Sequence, residues 1–397
     1  MVAATVLARA GELKQMLVAF ALQPRYERAF AKVLAEHDDA PTGWDEERMM
    51  NLCDYFILEH RLANGRTVVE QFVDAHPELP PAEREMLLGW RDVVQGPFEV
   101  QRRDGPALVV VSLVDELTYR VRSNMGTSIL RRFPARSFLV TRLVPVGDEW
   151  MLSGPTTVLR RSQRDLAYQL AVELSLRMPE AMYRNPEKLA TAWEIQRDHR
   201  ERFVRHFGSD LVVVPGGEAQ EQVDRFWQFC RDDLTGAAPG AGRNRDGSAA
   251  PVAELPPELV AAETVALIYD EEDGLGFYAD FGLVEAAFEN PDLVRRRRYR
   301  EMVLSYLHDD SVEPMVLRRL ADRDPDKAST VFRRVLKRPR FAWATDGEAL
   351  LRTCKPDYFD RPRLPQVAPL SDRLATYATS GGSHQVGGGV RPTLRRS

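Results

Sequence analysis

A run of four consecutive arginines, Arg295 to Arg298, is the strongest charge signal in this sequence. A helix turns by about 100° per residue, so four successive side chains point to different sides of it. The apolar stripe of the same predicted helix runs from Tyr299 to Leu307. Arg295 and Arg296 fall on the side of that stripe one turn earlier, so we expect them at the rim of the core.

A second basic group follows at the end of a later predicted helix. Ala328, Val331, Phe332 and Val335 share one face of this helix, and Arg333, Arg334 and Lys337 lie on the other, followed by Arg338 and Arg340. With aromatic residues interleaved, such a face is typical of contacts with a phosphate backbone or an acidic protein surface. The candidate partner-binding residues are Arg295, Arg296, Tyr299, Arg333, Arg334, Lys337, Arg338, Arg340 and Trp343. The alternative is a solvated face, neutralised by the helix dipole and by nearby carboxylates.

Acidic residues offer a different chemistry. Asp270, Glu272, Asp273, His308 and Asp309 could together hold a divalent cation for phosphoester hydrolysis. The carboxylates at 270–273 are contiguous, however, whereas calcium loops alternate them, and Asp beside a helix start is an ordinary cap. We therefore predict a solvated acidic turn, and neither a metal nor a cofactor.

Motifs of common enzyme classes do not occur in this sequence. Val212 to Gly217 has the strand, glycine turn and helix order of phosphate-binding loops, but it lacks a GxGxxG or Walker pattern and continues with Glu218. It therefore predicts a plain connection. There is also no serine nucleophile elbow, no HExxH and no kinase glycine loop.

Composition excludes several further classes. The net charge of −5 disfavours general attraction to nucleic acid or anionic lipid, and the three cysteines are too far apart for a disulfide framework or a thiolate zinc site. We find no signal peptide and no apolar run of the roughly 20 residues that span a bilayer. These features predict a cytoplasmic protein without membrane association.

The order of periodicities predicts an α+β fold, in which helices flank a small curved antiparallel β-sheet or barrel and a mainly α-helical second domain follows. Five short strands are separated by turn signals such as Asp104-Gly105 and Gly147-Asp148. The predicted first domain consists of a helical part at 1–96, the barrel at 97–159 and a helical remainder at 160–234. A flexible linker or long loop at 235–257, a mainly helical second domain at 258–354, a proline-rich extended arm at 355–379 and a disordered tail at 380–397 follow.

The first half of the chain resembles uncharacterised bacterial proteins of the SEC-C motif-containing type. The resemblance rests on Asn64 to Thr67, Pro80 to Leu88, Phe98 to Val100, Asp115 to Thr118 and Trp150 to Gly154. The cysteine-rich zinc motif of those proteins is absent here, because the C-terminal tail has no cysteine. The resemblance therefore implies a shared scaffold and no zinc.

We expect a non-catalytic binding or regulatory protein that engages a protein or nucleic-acid partner through the basic face. Two alternatives stay open. One is the metal-dependent hydrolase, and the other is a structural subunit of a larger assembly, in which the segment from Lys355 to Pro369 would lie across another chain.

Overall fold

The fold is α+β, as predicted. The computed structural model describes residues 3–37, 46–235 and 254–380, and the chain divides into two compact units, Met1–Ser175 and Leu176–Ser397. Nearly all of the predicted tail and most of the predicted linker lie outside the described residues. Among the described helices, none combines the length and apolar character that crossing a bilayer requires.

Unit 1 begins with five helices. They are α1 (Ala4–Ala21), α2 (Pro24–Glu36), α3 (Glu46–Leu58), α4 (Val68–Ala75) and α5 (Pro81–Gly89). Proline at the first position starts α2 and α5, where its missing N–H costs no hydrogen bond. Thr67 caps α4: its hydroxyl accepts from the Glu70 N–H at 3.3 Å, and the Glu70 carboxylate accepts from the Thr67 N–H at 2.8 Å.

Five strands then form a closed barrel. They are β1 (Val94–Asp104), β2 (Ala107–Ser112), β3 (Thr118–Arg122), β4 (Phe138–Val146) and β5 (Glu149–Leu159), in the order β1-β2-β3-β5-β4, with β4 returning to β1. Gly105 and Gly147 adopt positive φ in the two tight hairpins β1–β2 and β4–β5. The pairing of β3 with β5 is parallel, so the sheet is mixed rather than wholly antiparallel. The short helix α6 (Thr127–Leu130) lies between β3 and β4, and α7 (Arg164–Arg177) follows the barrel.

Alternation along the strands gives the barrel two apolar surfaces. Phe98, Val110 and Leu139 belong to the interior cluster, whereas Val144 and Met151 belong to the core of the five helices. β4 and β5 thus fill the barrel with one set of side chains and join the helices with the other.

Unit 2 is built on a three-stranded antiparallel sheet. It consists of β6 (Leu211–Pro215), β7 (Thr264–Asp270) and β8 (Gly274–Ala279), in that order. Leu211 pairs with Ile268 and Pro215 with Thr264, so the segments on both sides of 235–257 share one sheet. Most of the helical remainder at 160–234, predicted to belong to the first domain, therefore lies in unit 2, and the segment at 235–257 is a connection within that unit and not a linker between domains.

Helices cover both faces of this sheet. The helices between Pro186 and Cys354 are α8 (Pro186–Phe207), α9 (Gly216–Thr235), α10 (Pro257–Ala261), α11 (Phe281–Glu289), α12 (Arg297–His308), α13 (Pro314–Arg323), α14 (Pro325–Val335) and α15 (Trp343–Cys354). Val265 and Leu267 of β7 pack with Phe203 and Phe226 of α8 and α9, while Ala266 and Ile268 face the core of the later helices. Coverage on both faces explains why β7 is a continuous apolar run.

The predicted arm at 355–379 is not extended throughout. Two helices occupy its ends, α16 (Pro356–Asp360) and α17 (Asp372–Ser380). The stretch between them packs on unit 2 of the same chain: the Tyr183 hydroxyl donates to the Pro365 carbonyl at 2.8 Å, and the buried Lys188 ammonium donates to the Pro369 carbonyl at 3.3 Å.

Candidate functional site

The first arginine run is divided between two helices. A 3₁₀-helix covers Pro291–Arg295, Arg296 has extended backbone, and α12 starts at Arg297. The Arg295 side chain is 73% exposed, and Arg296 is exposed as well. Their expected position at the rim of the core is therefore wrong, because the break after Arg295 interrupts the helical phase on which that prediction depended.

Asp292 connects the two basic groups. Its Oδ1 atom lies 3.5 Å from the Arg295 guanidinium and 2.9 Å from that of Arg334 on α14. Arg334 also donates to the Pro291 carbonyl at 2.6 Å. Cations far apart in sequence thus form one surface. Sequence reasoning missed Asp292, although the Asn290-Pro291-Asp292 helix start is the local signal for a structured turn there.

A left-handed turn ends α14 and presents the next cations. Lys337 has φ of +55°, and the Arg338 N–H donates to the Arg333 carbonyl at 3.1 Å, which is the Schellman hydrogen bond. Glycine is the usual residue at this position, because a side chain there is strained. Arg333, Lys337, Arg338 and Arg340 are all exposed.

Most of these cations have no acidic partner in the part of the chain that the structure describes. In the described parts of the chain, Arg296, Arg333, Lys337, Arg338 and Arg340 form no ion pair with a carboxylate; Arg333 donates instead to the Phe341 carbonyl at 2.7 Å. The neighbouring Arg297 and Arg298 differ, since they pair with Glu301 at 2.6 Å and Glu263 at 2.7 Å. We define the basic surface as Arg295, Arg296, Arg333, Arg334, Lys337, Arg338 and Arg340.

The aromatic candidates belong to the core rather than to this surface. Trp343 is 7% exposed, and its ring stacks on Phe332 with 5.2 Å between centroids. Phe341 is buried in the same cluster, and Tyr299 packs against it, partly buried. Trp343 thus closes the α14–α15 corner, where its backbone N–H donates to the Ser329 hydroxyl at 2.8 Å.

The residues of the metal alternative already have partners. Asp270 accepts hydrogen bonds from the Glu272 and Asp273 N–H groups, and it pairs with Arg319 at 3.2 Å. Glu272 pairs with Arg363, and Asp309 accepts from the Ser311 N–H at 2.8 Å. These bonds are those of an acidic turn and a helix end, but the turn is less solvated than expected, because the Asp273 side chain is only 11% exposed.

His308 and Asp309 end α12 and are exposed. Within residues 3–37, 46–235 and 254–380, no group of three or more His, Cys, Asp or Glu side chains is arranged to hold a metal ion. Glu272, Asp273 and Asp309 do line one cavity together, which Asp270 and His308 do not line.

Close packing requires glycine at position 216 in the turn after β6. A Cβ atom on Gly216 would lie 2.2 Å from the Ala262 carbonyl oxygen, whereas one on Gly217 would meet nothing within 4 Å. The close approach of the C-terminal end of α10 therefore leaves no room for a side chain at position 216.

No protein-family model, curated protein or solved structure matches this chain. The resemblance to SEC-C motif-containing proteins accordingly stays a prediction.

Proposed function

We propose that this protein is a non-catalytic, cytoplasmic binding protein whose basic surface docks on an acidic surface of a partner protein. The observation that carries the proposal is the set of five exposed cations that have no carboxylate partner among residues 3–37, 46–235 and 254–380. Surface charges of a fold are usually interspersed with opposite charges, as Arg297 and Arg298 are. Cations without such neighbours are available to complement a negative surface.

The strained turn at Lys337 supports the same proposal. A non-glycine residue in the left-handed region costs roughly 1 kcal/mol, and such strain is concentrated at functional positions. Here a lysine stands where glycine would be more stable, between Arg333 and Arg338. A positive charge at a position where the side chain destabilises the fold fits a binding role better than a structural one.

An acidic protein fits this surface better than a nucleic acid does. Trp343 and Phe341 are buried, so they present no ring on which a base could stack. The net charge of −5 also opposes long-range attraction to a polyanion as large as DNA or RNA. A compact patch of cations is sufficient for carboxylates on a folded surface or an acidic peptide.

The test is binding of a fluorescent oligo-glutamate peptide over a series of salt concentrations, with duplex RNA and DNA as competitors. We expect Arg333→Glu with Lys337→Glu to weaken peptide binding by at least about tenfold and to flatten its salt dependence. The matched control is Arg197→Glu with Arg225→Glu, two exposed arginines of α8 and α9, which should bind like the wild type.

Lys337→Gly separates binding from folding. Glycine relieves the left-handed strain, so we expect a gain of roughly 0.5–1 kcal/mol in the free energy of unfolding together with weaker peptide binding. The proposal would be overturned if both basic-surface variants bound the peptide as tightly as the wild type does. It would also be overturned if duplex RNA displaced the fluorescent peptide at a lower concentration than the unlabelled peptide does.

A further inference from the structure

A cavity of about 640 Å³ lies within unit 2, and its lining does not include the residues of the basic surface. It is bordered by β8, by the C-terminal end of α12 and by the stretch at 361–366 that follows α16. Its volume is in the range of small-molecule sites, and apolar side chains such as Leu275, Met302 and Val312 form part of its wall.

Two carboxylates in this wall are each held by a tyrosine. The Tyr358 hydroxyl donates to Asp273 Oδ2 at 2.7 Å, and the Tyr278 hydroxyl donates to Glu313 Oε2 at 2.7 Å. Tyr278 is 2% exposed, and the Asp273 side chain is 11% exposed. Both acids are therefore oriented by neutral hydroxyl donors, and Asp273 in addition has the Arg361 guanidinium 3.4 Å from its other oxygen.

The side chains that line the cavity carry a large excess of negative charge. Eight carboxylate side chains and three arginines line it. Of the arginines, Arg363 pairs with Glu272, and Arg361 approaches Asp273 only at 3.4 Å. Burial raises the pKa of Asp273, and the nearby charges of Glu313 and Asp270 raise it further. A positive charge in the cavity would relieve this repulsion.

The arrangement of the carboxylates favours an ammonium group over a metal ion. A metal ion prefers three or more converging ligands, and the described side chains include no such group. An ammonium group needs only a few acceptors. Aromatic rings in the wall attract this cationic group, and apolar side chains contact the hydrocarbon substituent of the amine.

We propose that this cavity binds a primary amine with an apolar or aromatic substituent, its ammonium group donating to Asp273 and Glu313 and its substituent lying against Leu275, Met302 and Val312. Anionic compounds would be repelled by the same wall. This binding is independent of the basic surface, whose residues do not line the cavity.

The test is calorimetric titration of the full chain with butylamine, 2-phenylethylamine and tryptamine, each beside the alcohol of the same skeleton. We expect at least one amine to bind about tenfold or more tightly than its alcohol, since a partly desolvated charge pair contributes more than about 1.4 kcal/mol. Asp273→Asn and Glu313→Gln keep an acceptor for Tyr358 and Tyr278, and each should abolish this preference. The control Asp326→Asn removes an exposed carboxylate that does not line the cavity and should leave binding unchanged.

Thermal unfolding of each variant shows whether it is folded before titration. Three results would overturn the proposal: no saturable binding of any amine, equal binding of amine and alcohol, or amine binding that persists in the Asp273→Asn, Glu313→Gln double variant. Saturable binding of Mg²⁺ or Mn²⁺ that displaces the amine would also overturn it, in favour of a metal site.

Discussion

Replacing Asp273 by asparagine should stabilise the protein increasingly as the pH rises. Burial raises the pKa of this carboxyl from its ordinary 3.8 to about 6, with Glu313 and Asp270 adding to the effect and Tyr358 and Arg361 opposing it. Between these two values the unfolded chain has released the proton while the folded protein retains it. The folded state therefore binds more protons, and the stability of the wild type falls as the pH rises through this window.

The size of the effect follows from the width of that window. One pH unit corresponds to about 1.4 kcal/mol, so a window of roughly two pH units predicts a change of about 2 to 3 kcal/mol. Asparagine has no proton to release and still offers Tyr358 an acceptor. The loss of Arg361 as an ion-pair partner subtracts less than about 1 kcal/mol, since that pair is partly exposed.

The measurement is urea unfolding of the wild type and Asp273→Asn at half-unit steps from pH 4 to pH 7.5. Taking the difference between the two proteins at each pH removes the contribution of every group that they share. We expect this difference to grow in favour of the variant by about 2 to 3 kcal/mol up to pH 6.5 and then to level off. A difference that stays constant, or that changes in favour of the wild type, would refute the reasoning that burial dominates at Asp273.

Two further predictions concern packing and a buried charge. Gly216→Ala should lower the free energy of unfolding by about 1–3 kcal/mol, because its Cβ would lie 2.2 Å from the Ala262 carbonyl, while the matched Gly217→Ala should be neutral or slightly stabilising; equal urea midpoints for the two variants would contradict this account. In unit 1, Lys14 pairs at 2.9 Å with Asp54, whose side chain is 7% exposed. Lys14→Met should therefore cost about 3 kcal/mol in urea unfolding, and adding Asp54→Asn should restore most of it; failure of the second change to rescue the first would show that the pair is not the cause.

The elements of unit 1 were predictable because their signals are local. Asp104-Gly105 and Gly147-Asp148 mark hairpins whose strands are neighbours in sequence, and glycine at positive φ is what such turns require. The parallel pairing of Val121 with Trp150 has no such signal. It follows from barrel closure, which depends on all five strands together.

The segment at 235–257 shows why composition misleads about domain boundaries. A stretch poor in large apolar residues resembles a linker wherever it occurs. Its role depends on the pairing of β6 with β7, the strands on either side of it. The residue pattern of each strand predicts a strand but does not indicate which other strand it pairs with. Long-range pairing is the information that a single sequence lacks.

The candidate surface was predictable in its charges but not in its shape. Arg333 is exposed as the helical phase of α14 implies, whereas Lys337, Arg338 and Arg340 are exposed because they follow the left-handed turn that ends the helix. Arg295 and Arg296 were placed wrongly, since the interruption between the 3₁₀-helix and α12 shifts the phase. Trp343 was interpreted as a surface ring, because an aromatic residue at a helix start fits a core or an interface equally well by sequence.

The hydrogen bonds that hold the stretch after α16 have a consequence for biosynthesis. Tyr183 and Lys188 can form these hydrogen bonds only after Pro365 and Pro369 have been synthesised, 182 and 181 residues later in the chain. On the ribosome, unit 2 therefore cannot reach its final structure until almost the whole chain has emerged, and contacts this distant in sequence slow folding further. Unit 1 ends at Ser175 and needs none of these bonds, so its barrel can be complete while the second half of the protein is still being translated.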